Sequence, residues 1–171
     1  WSRCLPGLTT REVSDEIRFW HDNSVKVTLS ESTYCGGSMG LNWYLAARLL
    51  WNPHRDAAKI IDDYYDSAFG PAQAPIRRMH ARWARGFLLT DHEIALCHRD
   101  VRAALALAPD PAVRARVVDL ARYVHFLRLW YEYSDARTPE TRVAAAEAVV
   151  AYLWGIYESN MVQSFRMAQL L

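Results

Sequence analysis

The chain has 171 residues, of which 51% are hydrophobic and 23% are charged, and its formal net charge is +1. This composition is typical of a folded globular protein and excludes a disordered or fibrous chain. Because the charge is balanced and the arginines are spread along predicted helices, nucleic acid is not expected as the main partner. No apolar run reaches the ~18 residues that span a bilayer, so no membrane partner is expected either.

The first predicted element is a helix over residues 10–21. The Thr9-x-x-Glu12 pattern in front of it has the spacing of a capping box, in which two side chains accept from backbone N–H groups. Apolar side chains then recur three or four positions apart, which is the spacing of one helix face. The polar residues 22–24 end the helix.

The next residues, 25–30, alternate apolar and polar side chains, which predicts a short β-strand. A glycine-glycine-serine turn follows, and residues 39–51 are apolar at almost every position, which predicts a helix covered on most sides. A single strand cannot satisfy its own backbone groups. We therefore expect the chain to be the C-terminal piece of a larger protein, and Trp1 in place of an initiator methionine agrees with that expectation.

After Pro53 the pattern is helical throughout, and about five amphipathic helices are predicted. Their boundaries are indicated by Gly70-Pro71, by a Thr90-x-x-Glu93 capping box, and by the cap-plus-proline pairs Asp110-Pro111 and Thr138-Pro139. The predicted fold class is mainly α. Residues 1–53 are interpreted as the last strand-helix unit of a (β/α)8 TIM barrel, and residues 54–171 as an all-helical domain.

Three residues are predicted to contact a substrate: Glu31, Tyr34 and Ser38. Glu31 directly follows the predicted strand, where barrel enzymes place functional groups, and Tyr34 in the same loop can stack on a sugar ring. Ser38 begins a helix whose free N–H groups can bind an anion such as a uronate carboxylate. Two structural alternatives stay open, since Glu31 can bond the glycine turn and Ser38 can simply cap its helix.

No catalytic residue is assigned, because glycoside cleavage usually needs two carboxylates and Glu31 supplies at most one. No metal site is predicted: His92 and His98 share a helix with Cys97, but they are six positions apart and point to different faces. No cofactor is predicted either, because the sequence lacks the glycine patterns that bind nucleotides.

The three cysteines, Cys4, Cys35 and Cys97, lie far apart with no CxxC spacing. This spacing suggests neither a zinc ribbon nor a disulfide framework. The compartment stays open, with secretion or a periplasmic location among the alternatives, because a signal sequence would lie outside this chain.

Three motifs carry a resemblance to a known family. They are Tyr-Leu-x-Ala-Arg-Leu-Leu-Trp-x-Pro over residues 44–53, the helix over residues 56–65, and Phe-Gly-Pro-Ala over residues 69–72. Together with Glu31 in a strand-end loop, they resemble the C-terminal region of a bacterial glycoside-hydrolase-like family with an α-glucuronidase-like layout, filed as domain of unknown function 4838. Similar Trp-x-Pro helix ends also occur in other barrel glycosidases.

The resemblance implies a carbohydrate-active barrel enzyme whose acid and base carboxylates belong largely to earlier strands. This chain would supply the last strand, its helix and the helical domain behind the barrel, and would be inactive by itself. Glu31 is carried over only as a pocket residue. The sugar, the linkage and the stereochemical outcome stay undetermined.

The leading hypothesis is thus the C-terminal part of a glycoside hydrolase that acts on or binds a polysaccharide or oligosaccharide, with the rest of the barrel as the partner of the strand. The alternative is a non-catalytic helical scaffold or protein-interaction domain, in which the strand pairs across a homo-oligomer.

Overall fold

A computed structural model describes residues 4–29 and 35–171. Regular structure in this part of the chain is helical, which confirms the predicted mainly α class, with short 3₁₀ turns at Gly70–Ala72 and Tyr157–Ser159. Of its helices, none is both long and apolar enough to cross a membrane. The α-helices are α1 Thr10–Asp22, α2 Gly36–Trp51, α3 Ala57–Phe69, α4 Gln73–Ala84, α5 Asp91–Ala106, α6 Pro111–Asp135, α7 Pro139–Gly155 and the short α8 Ser164–Ala168.

Most of the predicted helix boundaries are confirmed by the bonds that form them. The Asp110 carboxylate accepts from the backbone N–H groups of the second and third residues of α6, and the Thr90 hydroxyl accepts from Glu93 N at the start of α5. Thr138 makes a reciprocal capping box at the start of α7. Gly70 ends α3 with φ +45°, a conformation that a residue with a Cβ rarely adopts.

A large hydrophobic core, here called the main core, joins the N-terminal segment and α2 to the helices that follow. Aromatic side chains run through its centre in successive ring contacts: Tyr65, His80, Trp83, Tyr123, Phe126 and Trp130. Buried aromatic pairs of this kind contribute more than their area alone. The main core therefore ties α3, α4 and α6 into one body.

A second, smaller cluster holds α1 in place. It consists of Ile17 from α1, Leu45 and Leu49 from α2, and Ile60 from α3, and it is called the satellite cluster below. Its buried contacts cross Pro53, and Leu41 of α2 belongs to the main core. The division into two domains at residue 53 stays a prediction.

The predicted strand is not formed in the part of the chain that the structure describes. Residues 25–29 have no regular structure, and Ser30 lies outside the described residues. Val25 N donates to Trp20 O at 2.9 Å, but residues 26–29 make no backbone hydrogen bond to another described segment. The physical reason is that the described segments are helices, which use their own backbone groups. A barrel remnant is accordingly not visible in residues 4–29 and 35–171.

The cysteines also require a correction, because Cys4 and Cys35 form a disulfide with their Cα atoms 5.7 Å apart. Thirty-one positions separate the two residues, so tertiary folding is needed to bring them together. Cys97 is free and buried.

Candidate functional site

The loop that was predicted to bind substrate is described at its two ends. Glu31 and Tyr34 themselves lie outside the described residues. Leu29 stands at one end of the loop and is fully exposed, whereas Cys35 at the other end is buried. The candidate site is therefore described through the residues that hold these two ends of the loop.

The end at Cys35 is held by covalent and backbone bonds. Cys35 is joined to Cys4, and Gly36 N donates to Asn160 O at 2.9 Å. Gly37 N donates to Met161 O at 3.1 Å. The first turn of α2 is thus fixed by the segment between α7 and α8, and the loop that carries Glu31 and Tyr34 ends at a firmly placed residue.

Close packing of Gly37 against Tyr123 adds to this anchor. A Cβ at Gly37 would overlap the Tyr123 ring, so only glycine allows α2 to approach α6 this closely. The Tyr123 hydroxyl donates to Cys4 O at 2.7 Å, and burial raises the pKa of Tyr123 well above its ordinary value. The phenol therefore stays protonated and serves as a structural donor.

Ser38 lies inside this anchor, only 1% exposed, and its hydroxyl donates to Cys35 O at 3.3 Å. The first N–H groups of α2 also have partners, since Gly36 and Gly37 donate to residues 160 and 161, and Ser38 N donates to Cys35 O. These internal bonds argue against an anion site at this helix end. A substrate contact through Ser38 stays a prediction without support from the geometry.

Asn42 is a structural residue that the sequence analysis did not single out. It is 2% exposed, its Oδ1 accepts from Thr9 N at 3.2 Å, and its Nδ2 donates to Thr9 Oγ1 at 3.2 Å. The predicted capping box at Thr9 is therefore wrong, because the Thr9 hydroxyl bonds α2 and not the start of α1. A polar residue inside an apolar helix was the available signal, since a buried amide needs partners.

The end at Leu29 has a different character. A pocket of about 180 Å³ lies between residues 25–28 and the facing ends of α1 and α2, and it is lined by Ile17, Trp20, His21, Leu49, Leu50 and Pro53. Val27 is 84% exposed beside it. This side of the loop therefore presents apolar side chains and unpaired backbone groups to the surroundings.

A second polar group lies between α4 and α5, away from the predicted site. Arg82 Nη2 is 2.7 Å from Oδ2 of the fully buried Asp100, and Arg78 also contacts this carboxylate.

His80 Nδ1 is 3.0 Å from the Tyr65 hydroxyl, and burial lowers the pKa of His80 to about 3. The buried His80 is therefore neutral near pH 7.

The residues weighed as metal ligands do not assemble. Within residues 4–29 and 35–171, no group of three or more His, Cys, Asp or Glu side chains is placed to hold a metal ion. Cys97 is buried, and burial raises the pKa of its thiol. Its surroundings therefore keep it as a neutral core residue.

Comparison with known proteins gives one result. Residues 3–81 match the family described as "Domain of unknown function (DUF4838)". The match includes α1, residues 25–34, α2 and α3, and it ends within α4. No curated protein and no solved structure matches the chain.

Proposed function

We propose that this chain is the C-terminal part of a carbohydrate-active (β/α)-barrel enzyme, in which residues 25–30 pair with the edge of a sheet formed by other polypeptide. One observation carries the proposal. The backbone of residues 26–29 has no hydrogen-bond partner among the described residues, and the apolar side chains of this segment are exposed. Such a segment is stabilised once a strand is added beside it.

The order of elements supports the same interpretation. Residues 25–29 lie between α1 and α2, and these helices pack against each other through the satellite cluster. In a parallel barrel each strand is followed by a loop and a covering helix, and functional residues lie in that loop. Glu31 and Tyr34 occupy the corresponding positions in the sequence.

In this proposal Glu31 and Tyr34 line a glycan pocket, and the helices from α3 onward support the barrel. The carboxylates that cleave the glycosidic bond belong to the remainder of the enzyme. The proposal rests on the position of the loop and on the resemblance to glycoside hydrolases.

The first experiment extends the reading frame upstream of Trp1. The proposal expects about seven further strand-helix units, the number that completes an eight-stranded barrel. A start codon immediately before Trp1 would contradict it and would favour the helical scaffold, in which residues 25–29 pair between two copies of this chain. Sedimentation equilibrium of the 171-residue chain would then be expected to show a dimer.

The second experiment measures hydrolysis by the extended protein on a polysaccharide to which it responds. Glu31→Gln is expected to reduce kcat/KM at least about tenfold, because a charged hydrogen bond to the substrate is lost. Glu16→Gln is the matched control, since Glu16 is an exposed glutamate on α1. Equal kinetics for the two variants would remove Glu31 from the pocket.

A further inference from the structure

The C-terminal end of α7 carries a pocket that the proposed barrel function does not use. It has a volume of about 350 Å³ and is lined by Arg122, Trp154, Gly155, Ile156, Tyr157, Glu158 and Ser159. This volume lies within the range of small-molecule sites, about 300–1,000 Å³. The name α7-end pocket is used for it below.

Two exposed aromatic rings lie next to each other at this pocket. Trp154 is 56% exposed and Tyr157 is 55% exposed, and their ring centroids lie 6.0 Å apart with a tilt of 37° between the planes. Aromatic side chains are usually among the more buried ones, so a neighbouring exposed pair is informative. Flat rings in this position can stack on the C–H faces of a sugar ring.

The polar groups of the pocket favour an uncharged ligand. Arg122 and Glu158 bring one charge of each sign to the lining, and the Arg122 guanidinium is already paired with Asp119 at 2.7 Å. The Glu158 carboxylate has no partner among the described residues and is exposed, so it can accept from a hydroxyl group. A ligand with many hydroxyl groups and apolar ring faces fits this combination better than an anion or a purely apolar molecule.

We infer that the α7-end pocket binds uncharged pyranose chains, with Trp154 and Tyr157 stacking on sugar rings and Glu158 accepting from their hydroxyl groups. The inference goes beyond the proposed barrel function and depends on other residues, so either can fail without the other. Its role would be to hold a glycan on the helical part of the protein.

The backbone of the pocket is suited to this role because contacts with α6 and with the core hold it in place. The Tyr152 hydroxyl donates to Arg122 O at 2.9 Å, which joins α7 to α6 beside the pocket. Ile156, between the two aromatic residues, is buried and anchors the turn. The rings are thus held on a rigid support, which lowers the entropic cost of binding.

The test uses isothermal titration of the 171-residue chain with four soluble probes: xylohexaose, cellohexaose, maltohexaose and hexagalacturonate. At least one of the three uncharged probes is expected to bind, and Trp154→Ala is expected to weaken that binding about tenfold or more. Failure of all three uncharged probes overturns the inference. Binding of the charged probe alone also overturns it.

Two further variants make the result independent of any effect of Trp154→Ala on folding. Gly155 lines the pocket, and a Cβ there would meet no atom within 4 Å, so Gly155→Gln should occupy the pocket without disturbing the fold. It is expected to weaken binding about as much as Trp154→Ala. Phe165→Ala is the matched control, because Phe165 is 61% exposed and does not line the pocket.

Equal affinity of Gly155→Gln and the unchanged chain would overturn the assignment of the site. The same conclusion follows if Phe165→Ala weakens binding as much as Trp154→Ala does. Sedimentation of the unchanged chain covers the remaining alternative: a dimer that Trp154→Ala dissociates, without sugar binding, would show that the rings serve a protein contact.

Discussion

The main core and the satellite cluster differ in how fully their apolar side chains are covered. The main core buries large side chains from most helices. The satellite cluster has four buried members, and the exposed side chains of Val25, Val27 and Leu50 line the pocket beside it. The comparison indicates that the satellite cluster is smaller and less fully covered than the main core.

The largest expected effect comes from the disulfide between Cys4 and Cys35, which are both buried in the main core. Cys4 and Cys35 are 31 positions apart, and opening a loop of this length is expected to cost about 3–4 kcal/mol of unfolding free energy, through greater freedom of the unfolded chain. The double variant Cys4→Ser/Cys35→Ser, compared with the unchanged chain in denaturant, measures the effect.

Adding a reductant supplies the control for this prediction. The unchanged chain in dithiothreitol should unfold at the same denaturant concentration as the double variant, and the double variant should not respond to the reductant. If the oxidised chain and the variant have equal stability, the disulfide does not stabilise the fold.

The next prediction compares one leucine from each cluster. Leu127 and Leu49 are both fully buried, in the main core and the satellite cluster respectively. Leu127→Ala is expected to lower the free energy of unfolding of the whole chain by about 3 kcal/mol. Leu49→Ala is expected to release mainly α1, seen as faster amide hydrogen exchange in α1 with little change in α4 and α6.

Hydrogen exchange read by mass spectrometry separates the two outcomes. If Leu49→Ala accelerates exchange in all helices equally, the two clusters unfold as one unit and the comparison fails.

A smaller effect is expected from the buried histidine of the main core. Burial lowers the pKa of His80 from 6.5 to about 3. The unfolded chain therefore binds a proton below pH 6.5 that the folded chain binds only near pH 3. Stability due to neutral His80 is fully present above pH 6.5 and decreases as the pH falls toward 3, by about 2 kcal/mol at about pH 5.

Denaturant unfolding between pH 7 and pH 5 measures this loss. His80→Gln is expected to remove that part of the pH dependence, although it lowers stability at pH 7. His21→Gln, at an exposed position on α1, should keep the full pH dependence. An unchanged pH slope in His80→Gln would show that other groups cause it.

The smallest effect is expected in residues 25–29. Val27 is 84% exposed, so Val27→Ser should change the unfolding free energy of this chain by no more than about 0.5 kcal/mol. The matched change Val117→Ser, in the main core, should cost several times more because it buries a hydroxyl group. A large loss for Val27→Ser would mean that this segment is already covered.

The sequence was most informative where local chemistry decides the structure. Asp110 and Thr138 cap the helices that they were predicted to cap, and Gly70 ends α3. Thr9 shows the limit of such patterns, because its hydroxyl oxygen accepts a hydrogen bond from Asn42, which is 33 positions away. The same spacing rule therefore succeeds on an exposed helix start and fails where tertiary contacts compete.

Features that depend on distant residues could not be predicted. Nothing near Cys4 indicates Cys35 as its partner, and nothing near Gly37 indicates the Tyr123 ring that requires a glycine there. The alternation in residues 25–30 describes a strand that needs a neighbour, and the described residues supply none. Of the predicted site, only Ser38 lies in the described part, and it is buried.

The contact of Gly36 and Gly37 with the carbonyl groups of Asn160 and Met161 has a consequence for the loop that carries Glu31 and Tyr34. One end of that loop is positioned by residues from the opposite end of the sequence. Removing Asn160 and Met161 by shortening the C-terminus would leave Glu31 and Tyr34 chemically unchanged but would free two backbone donors at the start of α2. Any function of the loop should therefore depend on the turn that follows α7, which fixes the residue at which the loop ends.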